Sequence, residues 1–244
     1  MGEFYVLELT EEFIRELRET LLDMKGSVEL ELFLGPNCET CDDTYKLVKT
    51  IAEASPNTGN EHLIRLSVYD SGNPEHGKVF RERGVDRIPA LLMLKGQIRY
   101  LGIPAGEEIR ALVETIIRVS ENESGLEETT KKELSRIKDR RVVIETIVTP
   151  SCPYCPYAVL LANMFAFESF KNGGTVYSHV VEAYENPDIA DMYGVMSVPA
   201  IAVNGSLVFV GVPYEEDFIE YIKAAAQGRI ERGDRPEFEG ATPI

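Results

Sequence analysis

The feature that most limits how this chain can fold is that its first half is written again in its second. Residues 28–34 carry the apolar pattern of a strand, break at Gly35-Pro36-Asn37 and reach Cys38. Residues 142–148 do the same, break at Thr149-Pro150-Ser151 and reach Cys152. A second cysteine follows each first one at the same distance, in Cys38-Glu39-Thr40-Cys41 and Cys152-Pro153-Tyr154-Cys155, and these pairs use all 4 cysteines of the chain. Helical spacing comes next in both halves, with Leu47, Val48 and Ile51 in one and Leu160, Leu161, Met164 and Phe167 in the other. Further strands at 62–69 and 175–183 lead through Asn73-Pro74 and Asn186-Pro187 into short polar helices ending at Gly84 and Gly194.

Each half then passes an apolar-proline step, Ile88-Pro89 or Val198-Pro199, into a hairpin that turns at Lys95-Gly96 or Asn204-Gly205. Amphipathic helices close the halves at 107–119 and 214–226 and open them at 11–24 and 127–138. The repeated unit is αβαβαββα, offset by 114 residues at the first cysteines and by 110 at the prolines. A strand feeding a helix, then a parallel strand, then a hairpin builds a mixed sheet with helices on both faces. The expected organisation is an N-terminal unit over 1–121, a C-terminal unit over 122–228 and a polar tail over 229–244, with the polar run 120–128 as the joint.

Composition narrows the partners. The chain has 244 residues, enough for two modest domains, and its 44% hydrophobic content supports a real core. Its 25 Lys and Arg against 41 Asp and Glu give a net charge of −16, which opposes binding to nucleic acid or to an anionic membrane. No apolar run approaches the roughly 20 residues that span a bilayer, and Met1-Gly2-Glu3-Phe4 does not begin a basic-then-apolar leader. A cytoplasmic location is the expectation.

In this order the motifs resemble the thioredoxin fold, with a Cys-x-x-Cys at the start of a helix and a proline matching the family's cis-proline 51 or 47 residues later. The tandem, with both pairs kept and the second reading Cys-Pro-Tyr-Cys, resembles the protein disulfide oxidoreductases of hyperthermophiles. That resemblance implies an α/β fold of two tandem thioredoxin-like units, each a mixed central β-sheet flanked by helices. It implies thiol-disulfide exchange with protein disulfides, in the direction of reduction, oxidation or isomerisation. It also implies that Ile88, Pro89, Val198 and Pro199 form loops that hold an extended substrate segment beside the cysteines. The chain has no Gly-x-Gly-x-x-Gly fingerprint and is expected to hold no cofactor of its own. Electrons are therefore expected from a separate flavoprotein of the thioredoxin reductase type, with a peroxiredoxin as a further partner.

Exchange proceeds by thiolate attack on sulfur, followed by attack of a second thiol on the mixed disulfide. A cysteine at a helix N-terminus faces unpaired N–H groups that favour its thiolate, so Cys38 and Cys152 are the expected nucleophiles and Cys41 and Cys155 the resolving thiols. Glu39, Asp42 and Asp43 surround the first pair with negative charge, whereas Pro153, Tyr154 and Pro156 flank the second. Cys152 is accordingly expected to be the more acidic nucleophile and its site the more oxidising. Tyr154 either stacks on substrate or fills the turn.

Glu31 and Glu145 lie on the strands entering the sites, seven residues before the first cysteines. Either could accept a proton from the resolving thiol, although thioredoxin's own acid stands six residues before, and strand alternation turns an odd offset to the other face. The alternatives for the whole chain are an electron relay serving a peroxide reductase and, from another class, a zinc module using four cysteines as ligands. Two helix starts about 110 residues apart would have to face one another for the zinc reading. The 3 histidines, His62, His76 and His179, are not repeated between halves and read as bystanders.

Overall fold

The computed structural model describes residues 7–59 and 61–230; of the expected tail, residues 231–244 lie outside the described residues. The first unit runs α1 (Glu11–Leu21), β1 (Val28–Leu34), α2 (Cys41–Ala54), β2 (Asn57–Thr58), β3 (Glu61–His62), β4 (Ile64–Asp70), α3 (Gly77–Arg83), β5 (Ala90–Met93), β6 (Ile98–Leu101) and α4 (Glu108–Glu121). The second runs α5 (Glu128–Leu134), β7 (Val142–Val148), α6 (Cys155–Lys171), β8 (Val176–Glu182), α7 (Pro187–Tyr193), β9 (Ala200–Val203), β10 (Ser206–Val210) and α8 (Glu215–Ala226). The αβαβαββα unit is thus present twice. The small β2–β3 ribbon was not foreseen, and α1 and α5 stop short of their expected ends.

Local chemistry explains the boundaries. Thr10 caps α1 by accepting from the Phe13 backbone N–H at 3.1 Å. α3 and α7 both end on a left-handed glycine, Gly84 and Gly194, as the sequence signal requires. In β1 the residues of even number, Leu30 and Leu32, share a core with Leu47, Val48 and Ile51 of α2. Phe33 turns the other way and packs with Val79 and Phe80 of α3. The period of two therefore sends alternate residues to opposite layers.

The sequence predicts a mixed sheet per unit; the structure joins them into one. The eight-stranded order is β10-β9-β7-β8-β6-β5-β1-β4, with β6 and β8 paired in parallel from Ile98↔Ser178 to Leu101↔Val181. Pairing two edges buries backbone donors and acceptors that each unit alone would leave open.

Polar groups fasten the same seam. Asn163 of α6 donates to Tyr100 Oη at 2.9 Å and to Thr115 Oγ1 at 3.0 Å, and accepts from Ser178 Oγ at 2.7 Å, so one buried amide ties β6, α4, α6 and β8. Gln97 donates to the Val176 carbonyl at 2.7 Å. α6 lies along this seam with 12 of its 17 residues buried, which is why it shows no polar face. The joint is held as well: Ser124 donates to Glu168 at 2.9 Å and Lys171 to the Asn122 carbonyl at 3.1 Å. Ile230, within the expected tail, is buried in the core.

Two acids are buried at this seam. Glu108 is 1% exposed, and neither carboxylate oxygen has a hydrogen-bond partner. Burial, reinforced by Glu107 and Glu182, pushes its pKa up to about 8. Burial likewise lifts Glu182 to about 7.

Two outcomes follow from the seam. Asn163→Ala strands three polar partners and removes packing, and costs about 2–4 kcal/mol in urea unfolding; the wild-type halves unfold in one transition, and two separate transitions would contradict a shared core. For Glu108 the folded pKa lies above its ordinary 4.5, so its contribution to stability declines as pH rises from about 4.5 and levels off above about 8. Glu108→Gln removes that decline, so the variant gains on wild type by a few kcal/mol between pH 5 and 8; parallel pH–stability curves for the two proteins would refute it.

Candidate active site

Each Cys-x-x-Cys closes on itself as a disulfide with its Cα atoms 5.4 Å apart. The second cysteine of each pair is the first residue of α2 or α6, so Cys38 and Cys152 stand in the turn just ahead of the helix. At the second site the Cys155 backbone N–H points at Cys152 Sγ, 3.1 Å away, which aims the positive end of the helix at that sulfur. Cys41 and Cys155 are buried, whereas Cys38 is half-buried and Cys152 buried at 7% exposure.

The proline loops enter the strands that pair with β1 and β7. Both Ile88-Pro89 and Val198-Pro199 are cis peptides, and both prolines are buried. Pairing of Phe33 with Ala90, and of Ile147 with Ala200, brings each proline opposite the end of the strand that runs into its cysteine pair. The Gly102 N–H donates to the Pro89 carbonyl at 2.9 Å and the Gly211 N–H to the Pro199 carbonyl at 2.7 Å, closing both loops in the same way.

Glu31 and Glu145 do not join these sites. Glu31 takes a two-pronged ion pair from Arg83 of α3, at 2.7 and 2.8 Å, and Glu145 accepts from the Tyr193 hydroxyl of α7. Both therefore face the layer opposite α2 and α6, because the odd offset of seven turns them there with no bulge to correct it. The positions one residue further on, Leu32 and Thr146, face the cysteine-bearing helices, and neither is an acid.

The expected charge around the first pair is also arranged differently. Glu39 and Asp42 are exposed, and Asp43 pairs with Lys46 at 3.0 Å. The carboxylate that touches this motif comes from the second unit: Glu185 accepts from the Thr40 hydroxyl and, at 2.6 Å, from the Ile103 backbone N–H. Tyr154, at 67% exposure, stands in solvent and does not fill its turn.

Glu108, which the sequence does not single out, is buried at the start of α4. α4 and α6 run side by side, with Thr115 on Asn163 and Arg110 on Tyr157, and the Glu107 backbone N–H donates to the Pro150 carbonyl at 2.9 Å. Glu108, two turns ahead of Thr115, is thereby placed toward the N-terminal end of α6, the end that begins at Cys155. No signal marked it, because Glu107-Glu108 reads as an ordinary acidic first turn. His62 contacts the Ser55 carbonyl and His76 accepts from the Asp70 backbone N–H. Among the described residues no group of three or more His, Cys, Asp or Glu is gathered as metal ligands would be, and the four cysteines form two separate pairs.

Comparison with known proteins agrees with this geometry. The family described as "Thioredoxin domain" matches residues 28–114 and 142–223, one span in each unit. The thioredoxin of Methanocaldococcus jannaschii is 37% identical over 83 residues, covering 34% of this chain and 94% of that protein. A component of the alkyl hydroperoxide reductase of Staphylococcus aureus is 24% identical over 94% of this chain, which spans only 39% of that protein. A solved structure described as a protein disulfide oxidoreductase from Aeropyrum pernix superposes with a TM-score of 0.91 at 56% identity, covering 98% of this chain and all of that one. The corresponding alkylhydroperoxide reductase component of Enterococcus faecalis shares the fold, with a TM-score of 0.73 at 22% identity over 87% of this chain and 98% of that one. With two closed dithiols on two such units, the chain belongs to the thioredoxin-domain family as a tandem protein disulfide oxidoreductase, an enzyme of thiol-disulfide exchange.

Proposed function

We propose that Cys38 and Cys152 are the attacking sulfurs of their pairs and Cys41 and Cys155 the resolving ones. In the reducing direction a thiolate at the first position attacks a substrate disulfide, forming a mixed disulfide and releasing one substrate thiolate. The second cysteine then attacks the enzyme sulfur, closes the pair and releases the other. Oxidation of substrate runs the same steps backwards. The observation that carries this reading is the Cys155 N–H aimed at Cys152 Sγ at the mouth of α6, with Cys155 buried behind it.

At the second site Glu108 takes the proton from Cys155 as that thiol becomes the nucleophile. Its position at the start of α4 and its pKa of about 8 suit a group that receives a proton near neutrality. The loops at Ile88-Pro89 and Val198-Pro199 present backbone to an extended substrate strand, a recognition that reads little of the substrate sequence. Substrates are protein disulfides, and electrons enter from a separate flavoprotein reductase in the cytoplasm, with no cofactor bound to this chain. Transfer to a peroxide-reducing partner is the second reading, favoured by the similarity to the alkyl hydroperoxide reductase component across both units.

Cys152 is the more acidic of the two nucleophiles. With each pair studied alone, thiol alkylation against pH gives the lower midpoint at Cys152, and a lower value at Cys38 reverses the assignment. Glu108→Gln slows resolution at the second site roughly tenfold or more and abolishes its pH dependence between 7 and 9, while the first site is unaffected; unchanged pH profiles at the second site remove Glu108 from the mechanism.

A further inference from the structure

The two units carry corresponding segments at the strand exits beside their cysteine pairs, and those segments differ in exposure. After β6 the chain reads Gly102-Ile103-Pro104-Ala105, and after β10 it reads Gly211-Val212-Pro213-Tyr214, each beginning on the glycine that bonds the cis-proline carbonyl. Ile103 and Ala105 are each 1% exposed, whereas Val212 is 39% and Tyr214 63% exposed. Within the motifs, Thr40 is half-buried and its counterpart Tyr154 largely exposed. Met196, in the second proline loop, is also exposed.

What covers the first surface is the segment 182–188 of the second unit. The register Leu101↔Val181 sets the exits of β6 and β8 side by side. Gly102 has φ +96°, and a Cβ there would come within 2.7 Å of the Glu182 Cβ, so glycine is needed for the approach. Glu185 grips both Thr40 and the Ile103 N–H. Asn186 donates to the Leu101 carbonyl at 3.1 Å, and Arg87, in the first proline loop, pairs with Asp188 at 2.5 and 2.9 Å. The segment thus holds the cysteine motif, the proline loop and the strand exit of the first site, all three parts of its rim. At the second site the corresponding residues Tyr154, Val212 and Tyr214 remain exposed.

We infer that segment 182–188, latched by Glu185, occupies the polypeptide-docking strip of the first site, so that Cys38 exchanges with small disulfides and Cys152 with protein disulfides. The inference rests on the thiol-disulfide activity already assigned. Cys38 is half-buried, less covered than Cys152, so on this inference a slim disulfide reaches it where an added strand meets the latch. Glu185 acts through access to Cys38, as a positioning residue. The exchange itself is balanced: the two thiols of the pair become a disulfide as one substrate disulfide becomes two thiols.

The test uses pre-reduced protein, freed of reductant, in single-turnover oxidation by insulin and by bis(2-hydroxyethyl) disulfide. One variant keeps only the first pair (Cys152→Ser with Cys155→Ser) and another only the second (Cys38→Ser with Cys41→Ser). The ratio of insulin rate to small-disulfide rate is at least roughly tenfold lower at the first site. Adding Glu185→Ala to the first-site variant raises its insulin rate by about fivefold or more and leaves the small-disulfide rate within about twofold. Arg87→Ala, which releases the same segment from the proline loop, moves the insulin rate in the same direction without touching Thr40. Equal ratios at the two sites overturn the inference, and so does a Glu185→Ala effect that is alike on both substrates, the mark of charge acting on Cys38. If the first-site variant reacts with neither disulfide, the assignment of exchange to Cys38 fails and the inference with it.

Discussion

The parallel pairing of β6 with β8 is the constraint on which the rest of the structure depends. It makes one sheet of two repeats, and it fixes which loop of one unit lies against which loop of the other. Had the units been joined only by the segment 120–128, the two dithiols would sit on equivalent rims. Because edge is paired to edge, the strand exit beside Cys38 is buried under the second unit, while the matching exit beside Cys152 faces solvent. A repeated sequence thereby yields two unlike sites.

The same seam carries the buried polar chemistry. Asn163 satisfies three partners drawn from three other elements, and such a closed network specifies one packing of α4 on α6 better than an apolar contact can. Glu108 and Glu182 are the opposite case, acids held in low dielectric with oxygen atoms left unpaired. That arrangement costs stability as they ionise, and costs of this kind gather at sites where protons move.

Much of this was legible in the sequence, because the repeat, the Cys-x-x-Cys spacing and the Asn-Pro and Ile-Pro punctuation are local signals with a local cause. The helix ends at Gly84 and Gly194 and the two hairpins were read from residues that can adopt those backbones. What escaped reading was long-range. Glu31 and Glu145 stood out as charges on central strands, but their partners, Arg83 and Tyr193, lie on helices that only the fold brings near. Glu108 and Glu185 looked like ordinary surface acids, and they acquire meaning only from the pairing of β6 with β8. One clue was available: Gly-Ile-Pro and Gly-Val-Pro recur at matching places, and their difference in burial is what separates the sites.

The central claim is that one frame holds two redox dithiols in unlike surroundings. Equilibration of each single-pair protein with glutathione buffers, followed by quantitative alkylation, tests it most directly. The account predicts that both pairs cycle as two-electron couples and that the pair at Cys152 has the higher potential; a pair that stays closed or open across the whole range, or two coincident midpoints, would contradict it.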